Sequence, residues 1–134
     1  MLTRRGFAAC ALCAVAGVAG FAATGVEAQT PGVKRTILNQ TDGPVDGYVT
    51  VSVRAEIEAG ATVARHTHPG VESTYIIEGG IELSVEGQAA RQIQPGDAFV
   101  VSPNTPHSAK NGAVKTIVSS TYVVEKGKPL ASPA

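Results

Sequence analysis

The sequence predicts an all-β fold, a single antiparallel sandwich or barrel, on three observations. Apolar residues recur with period two along most of the chain after residue 28. Gly- and Pro-containing turn signals interrupt these runs at short, near-regular intervals. No window after residue 28 carries the longer period of an amphipathic helix. The 134 residues suffice for one such domain and are too few for two.

Taken in chain order, residues 1–28 are a different kind of sequence. Thr3-Arg4-Arg5-Gly6-Phe7 sets paired arginines ahead of an apolar stretch from Ala8 to Ala23, and Val26-Glu27-Ala28 puts small residues where a signal peptidase reads. The stretch is Ala/Gly-rich and falls short of the roughly 20 residues that span a bilayer. An export signal cleaved after Ala28 is therefore expected, leaving a single domain over residues 29–134 and no membrane partner. The arginine pair resembles the twin-arginine export signal, matched through Phe7 but not at Ala8-Ala9, and that resemblance implies delivery of a folded protein to the periplasm. Cys10 and Cys13 both lie in this leader, so the mature chain has neither a disulfide nor a thiolate metal ligand.

The next element after a polar lead-in, Gln29 to Val33, is a strand. Val49, Val51, Val53, Ala55 and Ile57 point one way, while Tyr48, Thr50, Ser52, Arg54, Glu56 and Glu58 point the other. Tyr48 and Arg54 sit on its polar face, where solvent accounts for them as readily as a substrate. A second strand starts near Thr62 and runs to the histidines, and a third is expected over Glu72 to Glu78 after the Pro69-Gly70 turn. Ile81, Leu83 and Val85 alternate with Glu82, Ser84 and Glu86 as a fourth. Ala98 to Val101 and Lys115 to Val124 add β-branched and aromatic runs. Gly79-Gly80 and Glu86-Gly87 are expected as hairpin turns. The tail from Lys126 to Ala134 has two prolines and little apolar content, and is expected to be loose.

Charge narrows the function. Eleven Lys/Arg balance eleven Asp/Glu, with a pI near 6.8. A nucleic-acid surface needs clustered Lys/Arg and a positive excess, so that partner class is excluded. No Gly-rich phosphate loop runs from a strand into a helix.

Chemistry concentrates on the histidines. His66 and His68 are two apart on a strand, which places both rings on one face. Glu72 follows on the adjoining strand, and His107 follows the turn Pro103-Asn104-Thr105-Pro106. A lone histidine is as readily structural, but here every histidine of the chain falls in one pattern. Three imidazoles and a carboxylate converging inside a small barrel suit a borderline divalent metal. No histidine is then left for a Ser/His/Asp triad. Asp97 and Asn111 are expected to serve turns and backbone caps rather than metal.

These residues resemble the cupins. The first cupin motif, Gly-x5-His-x-His-x3-Glu-x6-Gly, is matched by Gly60, His66, His68, Glu72 and Gly79, and the second by Gly96, Asp97, Pro103, His107 and Asn111. Ser102 stands where proline is usual and Asn104 where glycine is common; neither is a ligand position. The resemblance covers about Val49 to Val124 and implies a jelly-roll β-barrel with His66, His68, Glu72 and His107 as ligands of one metal ion. Iron or manganese is expected, with zinc, nickel and copper as alternatives. It implies a small-molecule substrate and a metal-dependent oxidoreductase of dioxygenase type. The alternatives are a binding or sensing protein without turnover, or a cupin isomerase or decarboxylase. Phe99, Thr74 and Ile76 are expected to line the pocket by strand parity, no separate catalytic residue is assigned, and unpaired barrel edges suggest a homodimer.

Overall fold

Ten strands and no helix make up residues 30–134, the part of the chain described by the computed structural model. The expected export signal and both cysteines lie outside the described residues. The strands are β1 (Val33–Asp42), β2 (Tyr48–Ile57), β3 (Thr62–Thr67), β4 (Gly70–Glu78), β5 (Ile81–Val85), β6 (Arg91–Ile93), β7 (Ala98–Val101), β8 (His107–Asn111), β9 (Thr116–Glu125) and β10 (Ser132–Pro133). They form two antiparallel sheets, ordered β1-β2-β9-β4-β7 and β10-β3-β8-β5-β6. This is the jelly roll expected from the sequence, with β1 and β10 each extending one sheet at its edge.

The period-two pattern places the core. Val49, Val51, Val53, Ala55 and Ile57 of β2 are all buried, as are Ile81, Leu83 and Val85 of β5. The same alternation turns Glu72, Thr74 and Ile76 inward on β4, and Val118, Ser120 and Tyr122 inward on β9. Two apolar clusters result. The larger, which includes Ile76, Leu83, Phe99 and Val118, fills one part of the sandwich. The smaller gathers Val49, Val51, Val53, Tyr122 and Val124 under Leu130.

Several elements differ from expectation. β1 is a full ten-residue strand whose sequence shows no alternation: as an edge strand it buries only Val33 and leaves most of its length exposed. β6 is too short, at three residues, to show a period. β4 begins at Gly70 rather than Glu72, because β9 runs so close that a Cβ on Gly70 would lie 2.0 Å from the Val123 carbonyl oxygen. Gly79-Gly80 is not a hairpin. β4 and β5 belong to different sheets, so these glycines make a corner, and a Cβ on Gly79 would meet Thr116 Oγ1 at 2.3 Å. Glu86-Gly87 does turn the β5–β6 hairpin.

The tail is not loose. Leu130 packs on the smaller cluster, Lys126 N donates to Gly47 O at 2.9 Å, and β10 pairs with β3 through Ser132–Thr67 and Pro133–His66. One leucine and a short ladder anchor a segment whose overall composition is polar.

Candidate metal centre

His107 comes from the regular part of the barrel. It opens β8, an interior strand, in register with Val85 of β5, and the residue is 4% exposed. Glu72 comes from the opposite sheet. There it pairs with Tyr122 on one side and Val101 on the other, all three facing inward.

His66 and His68 need a correction of parity. Val63 is buried, and strict alternation along β3 would send Arg65 and Thr67 inward and both histidines outward. A bulge between Val63 and His66 prevents this. Val63 lies opposite Ala109 and His66 opposite His107, so three steps on β3 match two on β8. The extra residue re-aims the pair into the barrel. His68 sits just beyond β3, and its carbonyl accepts from Asn104 N at 2.9 Å. Asn104 holds φ 56°, the left-handed conformation that asparagine tolerates best after glycine.

The four side chains converge, with one donor atom from each inside a 4.8 Å group. Glu72 Oε2 lies 3.0 Å from His107 Nε2 and 3.1 Å from His68 Nε2, and His66 Nε2 is 3.2 Å from His68 Nε2. On the far side of each ring, Nδ1 donates to a backbone carbonyl: His66 to Ala64 at 2.6 Å, His68 to Leu130 at 2.6 Å, His107 to Thr105 at 2.9 Å. A carbonyl only accepts, so each Nδ1 carries a proton and each ring turns Nε2, the nitrogen that would ligate a metal, toward the centre. The donor set therefore fits a divalent ion, and the three carbonyls are the outer partners such a site uses to orient its imidazoles.

The electrostatics agree. Burial alone would push the Glu72 carboxyl up, but hydrogen bonds from His107, His68 and Thr74 outweigh it and hold the group well below the usual carboxylate range. Burial pushes His66 down to about 4, against its bond to Ala64, so the ring is neutral near pH 7. For His107 burial acts downward, and the bonds to Glu72 and Thr105 reverse it to a net rise. Thr74 Oγ1 donates to Glu72 Oε1 at 2.7 Å and accepts from Ser120 Oγ at 2.7 Å, which fixes the second carboxylate oxygen.

A cavity of about 50 Å³ opens beside the cluster. His66, Glu72 and His107 border it, and its other walls are mainly apolar, including Val63, Leu83 and Val118. Thr74 and Phe99 are among its lining residues. Ile76 is not: it faces inward but is wholly buried in the core. Arg54 is ion-paired with Glu56 on the outer face of β2, away from the cavity, and Tyr48 shares that face. Asn111 caps backbone, with Nδ2 within 2.9 Å of the carbonyls of Ile57, Glu58 and Val114, and Asp97 Oδ2 accepts from Gln94 N at 2.9 Å.

Sequence reasoning missed four residues of this region: Arg35, Ser120, Tyr122 and Leu130. Tyr122 packs against His68 with ring centroids 4.7 Å apart and planes tilted by 54°. Ser120 and Tyr122 were findable as polar residues at inward parity on an otherwise apolar strand face. Arg35 lies on a strand without a pattern, and Leu130 in a tail that looked loose.

The cupin domain profile matches residues 53–127, more than half of the chain. The chain belongs to the cupin family. No curated protein matches it. Among solved structures, this cupin is similar to KdgF from Halomonas sp., at 27% identity and a TM-score of 0.60, over 72% of this chain and 83% of that one. It also resembles the DMSP lyase DddQ from Ruegeria pomeroyi DSS-3, at 20% identity and a TM-score of 0.65, over 76% of this chain but 51% of the other. A third neighbour is an RmlC-like cupin from Shewanella frigidimarina NCIMB 400, at 24% identity and a TM-score of 0.59, over 72% and 79% of the two chains. The last two likenesses bear on the fold alone.

Proposed function

We propose that this cupin is a metal-dependent oxidoreductase of the dioxygenase type that acts on a small organic molecule, with His66, His68, Glu72 and His107 holding one divalent ion. One observation carries the reading. Three imidazoles, each held by a carbonyl behind its ring with Nε2 facing the centre, meet one carboxylate beside an apolar cavity. Iron or manganese is the expected ion, and zinc, nickel and copper also suit a donor set of three nitrogens and one oxygen. When bound, the ion supplies an open, redox-active Lewis-acid position for dioxygen or a chelating substrate. The protein's own part is positioning. Thr74 and Ser120 hold the Glu72 carboxylate, the three carbonyls hold the rings, and the apolar walls seat the substrate and keep water out. No separate acid or base is required of the chain.

An oxygen-electrode screen of iron- or manganese-loaded protein against flavonols, diketones, small phenolics and short-chain carboxylates tests the reading. Consumption of one dioxygen per substrate supports it. Turnover that persists without oxygen replaces it with a lyase, isomerase or decarboxylase, a second reading favoured by the buried phenol of Tyr122 beside His68. Saturable binding without turnover would make the protein a binder or sensor.

We further propose that the protein is exported folded to the periplasm and that its metal is loaded beforehand, where copper and zinc do not outcompete the weaker ions. The support is Arg4-Arg5 ahead of an apolar stretch, and a site without thiolates. Elemental analysis of periplasmic protein checks both points; stoichiometric zinc or copper speaks against pre-loading. A homodimer is supported by the outer face of β4 and β7, where Tyr75 is 49% and Val100 63% exposed beside the unpaired edge of β7. Sedimentation of the protein reads its mass directly.

A further inference from the structure

Two cavities meet at one wall. The inner one borders the four donors. The outer one, about 190 Å³, lies between β1, β3 and the tail, and the side chains common to both linings are Arg35 and His66. Register explains the placement of Arg35. It pairs with Ala55 across β1 and β2, and Ala55 faces the inner cavity, so Arg35 projects from the same face.

Its charge is unmet. Arg54 pairs with Glu56 and Arg65 with Glu86, but among the described residues Arg35 has no hydrogen-bond or ion-pair partner. Among the described residues Glu72 is the one side-chain carboxylate bordering either cavity, and it is already engaged by His68, His107 and Thr74. Arg65 adds a second cation to the outer wall. A half-buried guanidinium offers five donors and no acceptor, in a planar fork that matches a carboxylate. Beyond it the inner cavity is narrow and mostly apolar, with room for roughly four water-sized groups.

From this arrangement we infer that the mouth of the site is an anion subsite built on Arg35, and that the substrate is a short-chain carboxylate. Its charged end lies on Arg35 in the outer cavity, and its apolar body points at the donor cluster. The direction of the body rests on the metal-dependent reading above; the anion subsite does not.

Calorimetric titration of butyrate and of butyramide, its uncharged match, tests the inference. Wild type, Arg35→Gln and Arg35→Lys are compared in metal-free and zinc-loaded forms, with melting curves to confirm folding. Butyrate should bind wild type in both forms. Arg35→Gln should weaken it about ten- to hundredfold, the range for a charge-assisted hydrogen bond. Arg35→Lys should recover part of the loss, and butyramide should not respond to residue 35. Butyrate affinity within twofold of wild type in Arg35→Gln, or no butyrate binding by wild type in either form, overturns the inference. The two readings fail separately. Arg35-dependent butyrate binding in a protein that takes up no metal keeps the anion subsite and removes the metal. Stoichiometric metal with binding indifferent to Arg35 removes the subsite and keeps the metal.

Discussion

His107 and the His66–His68 pair reach one point by opposite means. His107 stands on β8, held on both sides in the sheet, and its supporting carbonyl is two residues away at Thr105. The pair hangs from β3, whose outer neighbour is the two-residue β10. It is aimed inward by a bulge and steadied at His68 by a carbonyl 62 residues distant. One half of the centre is therefore fixed by the ladder of the barrel. The other is set by an irregularity and by the tail. A bulge in a sheet re-aims the side chains beside it, which a regular ladder cannot do.

The largest expected effect comes from the fixed half. His107→Ala should abolish stoichiometric metal binding and also destabilise the metal-free protein by about 3 kcal/mol, because it leaves the buried Glu72 carboxylate short of a partner. Elemental analysis and urea unfolding read the two losses. Full metal occupancy in this variant would show that the ligand set is wrong.

His66→Ala sharpens the contrast. Metal should again be lost, but the metal-free protein should change by less than about 1 kcal/mol, since His66 is partly exposed and the hydrogen bonds to Glu72 come from His68 and His107. Equal destabilisation by the two alanines would erase the distinction between the halves.

Next comes the tail. Ending the chain after Lys128 removes the carbonyl that orients His68 and the leucine that covers the smaller cluster, with all four donors left in place. Metal affinity should fall about ten- to hundredfold, the usual cost of losing a partner that orients a ligand. Chelator competition measures it, and wild-type affinity would show that the tail has no part in the centre. The smallest effect is expected from Thr74→Val, which keeps the shape but takes a donor from Glu72 Oε1. A loss of about 1–2 kcal/mol in metal-free stability, seen in urea unfolding, is anticipated, with metal still bound at full stoichiometry.

Much of this protein is legible in its sequence. Alternation in Val49–Ile57 and Ile81–Val85 marks half-buried strands because a pleated chain repeats every two residues. The spacing of His66, His68 and Glu72, with His107 behind its proline turn, marks the donor set because metal chemistry limits which side chains can gather there. β1 was silent because an edge strand has no buried face to write into its pattern. Gly79-Gly80 was misread as a hairpin because a positive φ looks the same whether the chain folds back or crosses to the other sheet.

The sequence by itself determined the strand period and the class of fold, which depend on local spacing, and pointed to the four candidate donors through the motifs shared with the cupins. Tertiary structure alone decided which way the donors point. The β3 bulge exists only relative to β8, the His68 support only because the tail returns, and the open charge of Arg35 only because β1 lies beside β2 with no carboxylate opposite. Each is a contact between segments far apart in the chain, and a linear pattern carries no record of its partner.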